Sequence, residues 1–320
     1  MKKYFAIIIL FFLLVSCNKK TKVEKAVEAI PVALKVDRFD QAFFEASPKD
    51  LSNLKAEYPF FFPEGFDDKV WIDKMQDKDW KDLYAEVQKK YPDFNKQTSE
   101  IEDLFKHLKY YFPETILPRV YTVIGEMDYN SKAIYANDKL IIALELYLGK
   151  DTKFYTFPEY LKQNFEERQM MPDIVTSYAM RKIPYPSDKS LLSSMIYYGK
   201  ELYLKDLMLP NHTDAEKIGY LPEQQNWCQE NESYIWRFFI EEDLLFSSDS
   251  KLQNRFINLA PFSKFYLEID NESPGRVGQW IGWQIVRSFM ENNEVSLQDM
   301  LKMDTKELFE KSKYKPKKNE

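Results

Sequence analysis

Histidine and cysteine are almost missing from this chain, with two of each in 320 residues. A zinc centre draws on several His or Cys at close spacing, and no HExxH or CxxC cluster occurs. Cys17 and Cys228 are the whole thiol supply, so no disulfide framework can be built. Glycine is scarce too, with eight residues, which excludes collagen-like and flexible low-complexity chains. There is no Gly-rich phosphate loop and no GxSxG elbow. After Val15 no apolar run approaches the roughly 20 residues that span a bilayer. Basic residues are outnumbered, 45 against 51 acidic, which argues against a nucleic-acid partner. Nothing in the sequence asks for a cofactor or a metal.

What is present begins at the N-terminus. Lys2 and Lys3 precede an apolar stretch from Tyr4 to Val15, followed by Ser16 and Cys17. This is the pattern of a lipoprotein signal peptide, cut before a cysteine whose thiol then carries acyl chains such as palmitate. Residues 1–16 are expected to leave with the signal, and Cys17 is the expected lipid-attachment site and membrane anchor. Loss of Lys2 and Lys3 takes the formal net charge from −6 to −8. Residues 17–30, polar and lysine-rich, read as the lipidated N-terminus and a flexible tether. Residues 31–310 read as one globular domain, and residues 311–320 as a charged, frayed tail.

The 24 Phe, 21 Tyr and 6 Trp fall mostly at helical spacing among Leu and Ile, so core filling is their default role. Amphipathic helices are expected over 79–90 and 99–112, the second capped by Thr98 or Ser99. Residues 120–124, 132–136 and 139–144 are β-branched or aromatic and separated by turn residues, which predicts a small antiparallel sheet. Helices resume over 158–168 and 172–182, each with Pro as first residue, then over 189–209 and 274–291. The fold class is therefore mainly α (α+β), a helical domain with one small antiparallel sheet.

Candidate chemistry is sparse. His107 and His212 stand on unrelated segments and read as partly buried or solvated side chains, and Cys228 beside Trp227 as a small buried one. Neighbouring acids such as Glu166-Glu167 read as solvated helix faces. Two stretches stand out. Around Ser194 to Tyr203, Tyr198 shares an inward stripe with Leu191, Met195 and Leu202, and Gly199 in mid-helix points to a close approach by another backbone or a cleft. In the 274–287 segment, Gly278 and Gly282 share a face that another helix could meet closely. Trp280 lies with Arg276, Gln284 and Arg287, either as the polar edge of a buried helix or as part of a ligand or partner surface. The candidate cleft or partner-surface residues are Tyr198, Lys200, Arg276, Trp280 and Arg287. No catalytic or metal-ligating residue is assigned.

Several motifs occur in one order: the lipobox with Cys17, Val36-Asp37-Arg38-Phe39-Asp40, Tyr58-Pro59-Phe60-Phe61, Leu144-Glu145-Leu146-Tyr147-Leu148-Gly149, Met195 to Tyr203 and Pro274 to Val286. In these the chain resembles the gliding-motility lipoprotein GldB family of the Bacteroidota. The resemblance implies a lipoprotein of the cell envelope required for gliding and the associated type IX secretion, with other envelope proteins of that machinery as partners. The order of sheet, helix, Gly199-Lys200 helix and PGRxGxxxG helix is also similar to zinc peptidases of gluzincin type, which implies a zincin-like outline. Those peptidases carry HExxH on the first helix and a ligand Glu directly before the Gly on the second. Here Met171 to Arg181 contains no His and Tyr198 occupies the Glu position, so the resemblance implies a catalytically silent pseudopeptidase scaffold. Two other readings stay open: a residual metal-dependent peptidase or hydrolase of the envelope, and a glycan- or peptide-binding lipoprotein. The basic residues after Cys17, without an acidic run, favour a periplasm-facing position at the outer membrane.

Overall fold

The computed structural model describes residues 20–268 and 270–317. The signal segment and Cys17 lie outside the described residues. The N-terminal elements are helix α1 (Lys22–Glu28), strand β1 (Lys35–Arg38), and helices α2 (Phe39–Phe44), α3 (Leu51–Glu57), α4 (Asp68–Gln76), α5 (Lys78–Lys90) and α6 (Asn95–Tyr111). Strands β2 (Arg119–Val123), β3 (Ala133–Ala136) and β4 (Lys139–Ala143) follow, then α7 (Glu159–Lys162), α8 (Met170–Ala179), α9 (Leu191–Met208), α10 (Asp214–Ile218) and α11 (Pro222–Glu241). The chain ends with α12 (Val277–Asn292), α13 (Leu297–Lys302) and α14 (Thr305–Ser312). No helix among the described residues is long and apolar enough to cross a membrane. The fold is mainly α with one small sheet, as the patterning implies.

The sheet itself corrects the expectation of an all-antiparallel array. Its order is β1-β2-β4-β3, with β1 and β4 both parallel to β2 and only β3 antiparallel to β4. β1 was hidden because Lys35-Val36-Asp37-Arg38 has the polarity of a loop. It is a strand because Val36 and its neighbours pair with β2, more than 80 residues away, and tertiary pairing of this kind overrides local propensity. β3 and β4 join through Asn137-Asp138, with Asn137 in the left-handed region that tight hairpin turns demand.

The segment read as a flexible tether contains α1. Thr21 and Glu24 form a capping box at its start, and Val27 is buried beneath it. Helix α6 begins a turn earlier than expected, and the Thr98 hydroxyl donates to the Phe94 carbonyl at 2.6 Å instead of capping. The segment 158–168 is helical only over α7 before a short 3-10 turn, and Pro172 stands inside the first turn of α8. The tail also differs from a frayed end as far as residue 317. Tyr314 donates to Glu232 at 2.9 Å and packs edge-on against Trp236 of α11 at 5.1 Å.

Two helices dominate the packing. α9 crosses α12 where Gly199 faces Gly282, so closely that a Cβ on Gly199 would sit 2.8 Å from the Trp283 backbone nitrogen. A Cβ on Gly282 would collide with the Met195 carbonyl. The mid-helix glycines are there because backbone meets backbone. Trp280 and Trp283 flank the crossing, both buried, with rings edge to face at 5.8 Å. The aromatic run Tyr58 to Phe62 fills a separate small core against Tyr121 of β2 and Phe43 of α2.

Candidate functional site

A cleft of about 1020 Å³ opens between the sheet edge and the helices. One wall is the segment from Tyr129 to Ile134, ending on β3, and the opposite walls are α8 and α9. Its floor comes from the turn after α10 and from Arg276 at the head of α12. Each wall presents residues at helical or strand spacing. Asp173, Thr176 and Met180 lie along α8, and Tyr198, Glu201 and Lys205 along α9.

The acids of this cleft are occupied. Asp173 receives the Lys132 ammonium at 2.6 Å and the Tyr147 hydroxyl at 3.0 Å. Glu201 accepts the Thr176 hydroxyl at 2.6 Å and pairs with Lys205 at 3.0 Å. Lys205 also donates to the Lys217 carbonyl at 3.1 Å, and Lys217 turns its own ammonium to Asp206 at 3.0 Å. Both cleft acids are therefore engaged by a lysine and a hydroxyl of the cleft's own walls. Among the described residues, no group of three or more His, Cys, Asp and Glu side chains is placed to hold a metal ion.

Arg276 is arranged differently. Its backbone is left-handed, φ 64°, a conformation that costs a non-glycine residue about 1–3 kcal/mol. The strain is enforced from both sides. Gly275 lies so tightly on the Ala260 carbonyl that a side chain would not fit, and the Ser263 hydroxyl donates to Pro274 at 2.8 Å while accepting from Val277 at 3.3 Å. The guanidinium donates to the Gly219 carbonyl at 3.1 Å and lies over the Tyr220 ring. Burial pulls its pKa down, partly offset by Tyr220, Glu201 and Asp173, and an arginine stays charged nonetheless.

The five residues singled out by the sequence do not form one site. Tyr198 and Arg276 both line the cleft. Tyr198 is half-buried at that boundary. Lys200 points away, into a smaller pocket of about 390 Å³ against the α13–α14 turn. There it donates to the carbonyls of Met303 at 2.6 Å and Leu301 at 3.2 Å, and burial lowers its pKa to about 8. Trp280 belongs to the core, not to a surface, because α12 turns that side inward beside α9. Arg287 is locked by Asp206 and Asp214 through four hydrogen bonds of 2.7–2.9 Å and stacks on Trp283 at 3.8 Å. It fastens α9 and α10 to α12.

Lys132, Asp173, Glu201 and Lys205 were not singled out. For the last two a signal existed: they stand three and seven residues after Tyr198, on the same helical face. His107 lies on α6, its ring nitrogen 3.0 Å from the Asp103 carbonyl, while His212 lies in the loop before α10, where burial lowers its pKa. Cys228 is fully buried, and burial raises its thiol pKa far above the reactive range. Glu145, at the exit of β4, is wholly enclosed. One oxygen accepts from the Gly125 amide at 2.9 Å, the other has no partner, and burial raises its pKa to about 7.

Comparison with curated proteins and with solved structures finds no match. A family model described as gliding motility protein GldB matches residues 20–316. That span includes the sheet, the α9–α12 crossing and every wall of the cleft, and the chain therefore belongs to the GldB family of gliding motility lipoproteins.

Proposed function

We propose that the chain is a non-catalytic structural or assembly component of the gliding apparatus and its companion type IX secretion system. In this reading it is held by lipid at Cys17 on the periplasmic side of the outer membrane, and its body is a peptidase-like scaffold that has lost its chemistry. The observation that carries the reading is the pairing of the cleft acids. Asp173 is paired with Lys132, Glu201 is paired with Lys205 and accepts from Thr176, and by the peptidase resemblance Tyr198 takes the place of a ligand glutamate. In this reading the two cleft acids serve to join the walls to each other instead of ligating zinc or activating water.

The test replaces the chromosomal gene with variants and scores surface spreading together with export of secreted proteins. Deletion and Cys17→Ala are expected to abolish both. Asp173→Asn combined with Glu201→Gln is expected to leave both intact while the protein still accumulates. Loss of spreading in that double variant at normal protein level, or stoichiometric zinc in the purified protein, would favour the enzyme reading instead.

A further inference from the structure

Charge in the cleft is matched pair by pair, with one exception. Lys132 has Asp173, Lys205 has Glu201 and Lys217 has Asp206. Arg276 has no carboxylate within 4.0 Å among the described residues, and the nearby acids Asp173 and Glu201 are already committed elsewhere. A guanidinium offers five N–H donors, and the Gly219 carbonyl takes up only one nitrogen. The strained backbone that aims it into the cleft is fixed by Gly275 and Ser263, so the orientation is built in.

The rim has the opposite character. Ile134, Met180, Tyr185 and Leu259 border the same cleft and are exposed by 40, 64, 77 and 44%. Four exposed large apolar side chains gathered at one cleft suit an interaction site, whereas ones scattered singly need no explanation.

The third feature is the sheet edge. β3 is one of the two edge strands. The Tyr135 amide turns outward and donates to the Ser177 hydroxyl at 2.7 Å. Alternation along a strand therefore turns the N–H and C=O of Ala133 the same way, into the cleft that Ala133 lines. At about 1020 Å³ the cleft is at the upper end of the roughly 300–1,000 Å³ of small-molecule sites. α8 covers the edge at Tyr135, so the open backbone groups are those of Ala133; together with separated apolar contacts and one cation they fit an extended chain better than a compact ligand.

We propose that the cleft binds an extended internal segment of a partner polypeptide. The segment meets the open Ala133 end of β3, sets apolar side chains against Ile134, Met180 and Tyr185, and places an Asp or Glu carboxylate on Arg276. The inference builds on the reading of the cleft as non-catalytic. The two fail separately, since one is scored by motility and the other by binding in solution.

The probe is an array of acetylated, amidated ten-residue peptides of Leu, Val and Phe with serine spacers and a central Asp, Asn or Lys. The full-length lipoprotein in detergent micelles is applied, and the hits are measured by fluorescence anisotropy. Asp peptides are expected to bind about tenfold more tightly than their Asn counterparts, the scale of one charge-assisted hydrogen bond. Arg276→Gln should erase that preference and Arg276→Lys should keep part of it. Met180→Glu, at an exposed position that leaves folding alone, should weaken Asp peptides by like-charge repulsion. Absence of binding by any blocked peptide, equal binding of Asp and Asn peptides, or binding that demands a free C-terminal carboxylate would each overturn the proposal.

Discussion

Helix α9 shows two faces with opposite demands. On one, Gly199 meets Gly282 of α12 with no room for a methyl group, and Asp206 closes the contact on Arg287. On the other, Tyr198, Glu201 and Lys205 look into an open cleft in which one arginine lacks a carboxylate. The first face is specified by shape and fills completely. The second is specified by charge and leaves room. The difference separates what holds the molecule together from what it can offer a partner, within a single helix.

Substitutions at the two faces should therefore behave differently. The largest effect is expected from Gly282→Val. Its side chain would enter the α9 backbone, and overpacking of this kind should remove about 3 kcal/mol or more, despite the better helix propensity of the new residue. Urea unfolding measures it, and a loss below about 1 kcal/mol would mean that the helices separate easily and the contrast fails.

Next comes Glu145→Gln, which tests a titratable group inside the packed region. Glu145 titrates near 7 in the folded chain against an ordinary value of 4.5. The folded state therefore holds the extra proton between these values. The corresponding stability is fully present below pH 4.5 and is lost as pH rises through 7, by about 3 kcal/mol at 1.36 kcal/mol per unit. Glu145→Gln should flatten this fall, so the difference between the two proteins grows with pH and levels off above 8. Parallel stability curves for the two would show that the carboxylate is not the source.

The smallest effect is expected at the cleft. Arg276→Gly relieves a left-handed backbone and removes one hydrogen bond, so stability should stay level or rise by up to about 1 kcal/mol. A clear loss would place Arg276 with the packing residues and erase the distinction between the faces of α9.

Legibility in the sequence followed the same division. Gly199 pointed to a close approach by another backbone or a cleft and Gly282 to a helix contact, and the two meet each other at the α9–α12 crossing. Cys228 read correctly as buried, since it adjoins Trp227 and no histidine is near it in sequence. Trp280 misled because its helical spacing groups it with Arg276 and Arg287, and only the position of α9 shows that this edge faces inward. β1 was illegible since Lys35-Val36-Asp37-Arg38 becomes a strand only through a partner far along the chain. The cleft draws on many separated segments, among them those around residues 132, 164, 173, 201, 218, 258 and 276, and their mutual pairing has no local pattern.

The docking of α1 has a mechanical consequence. Thr21 caps α1, and Val27 beneath that helix is sunk into the body. A lipid on Cys17 would thus be joined to the globular part by four residues, whose full extension is at most about 14 Å at 3.3–3.6 Å per residue. On the proposed anchor, so short a leash would hold the body close to the lipid surface with the α1 side towards it. A partner seated in the cleft would then be tied to the membrane, and pulling on it would load the bilayer almost without slack.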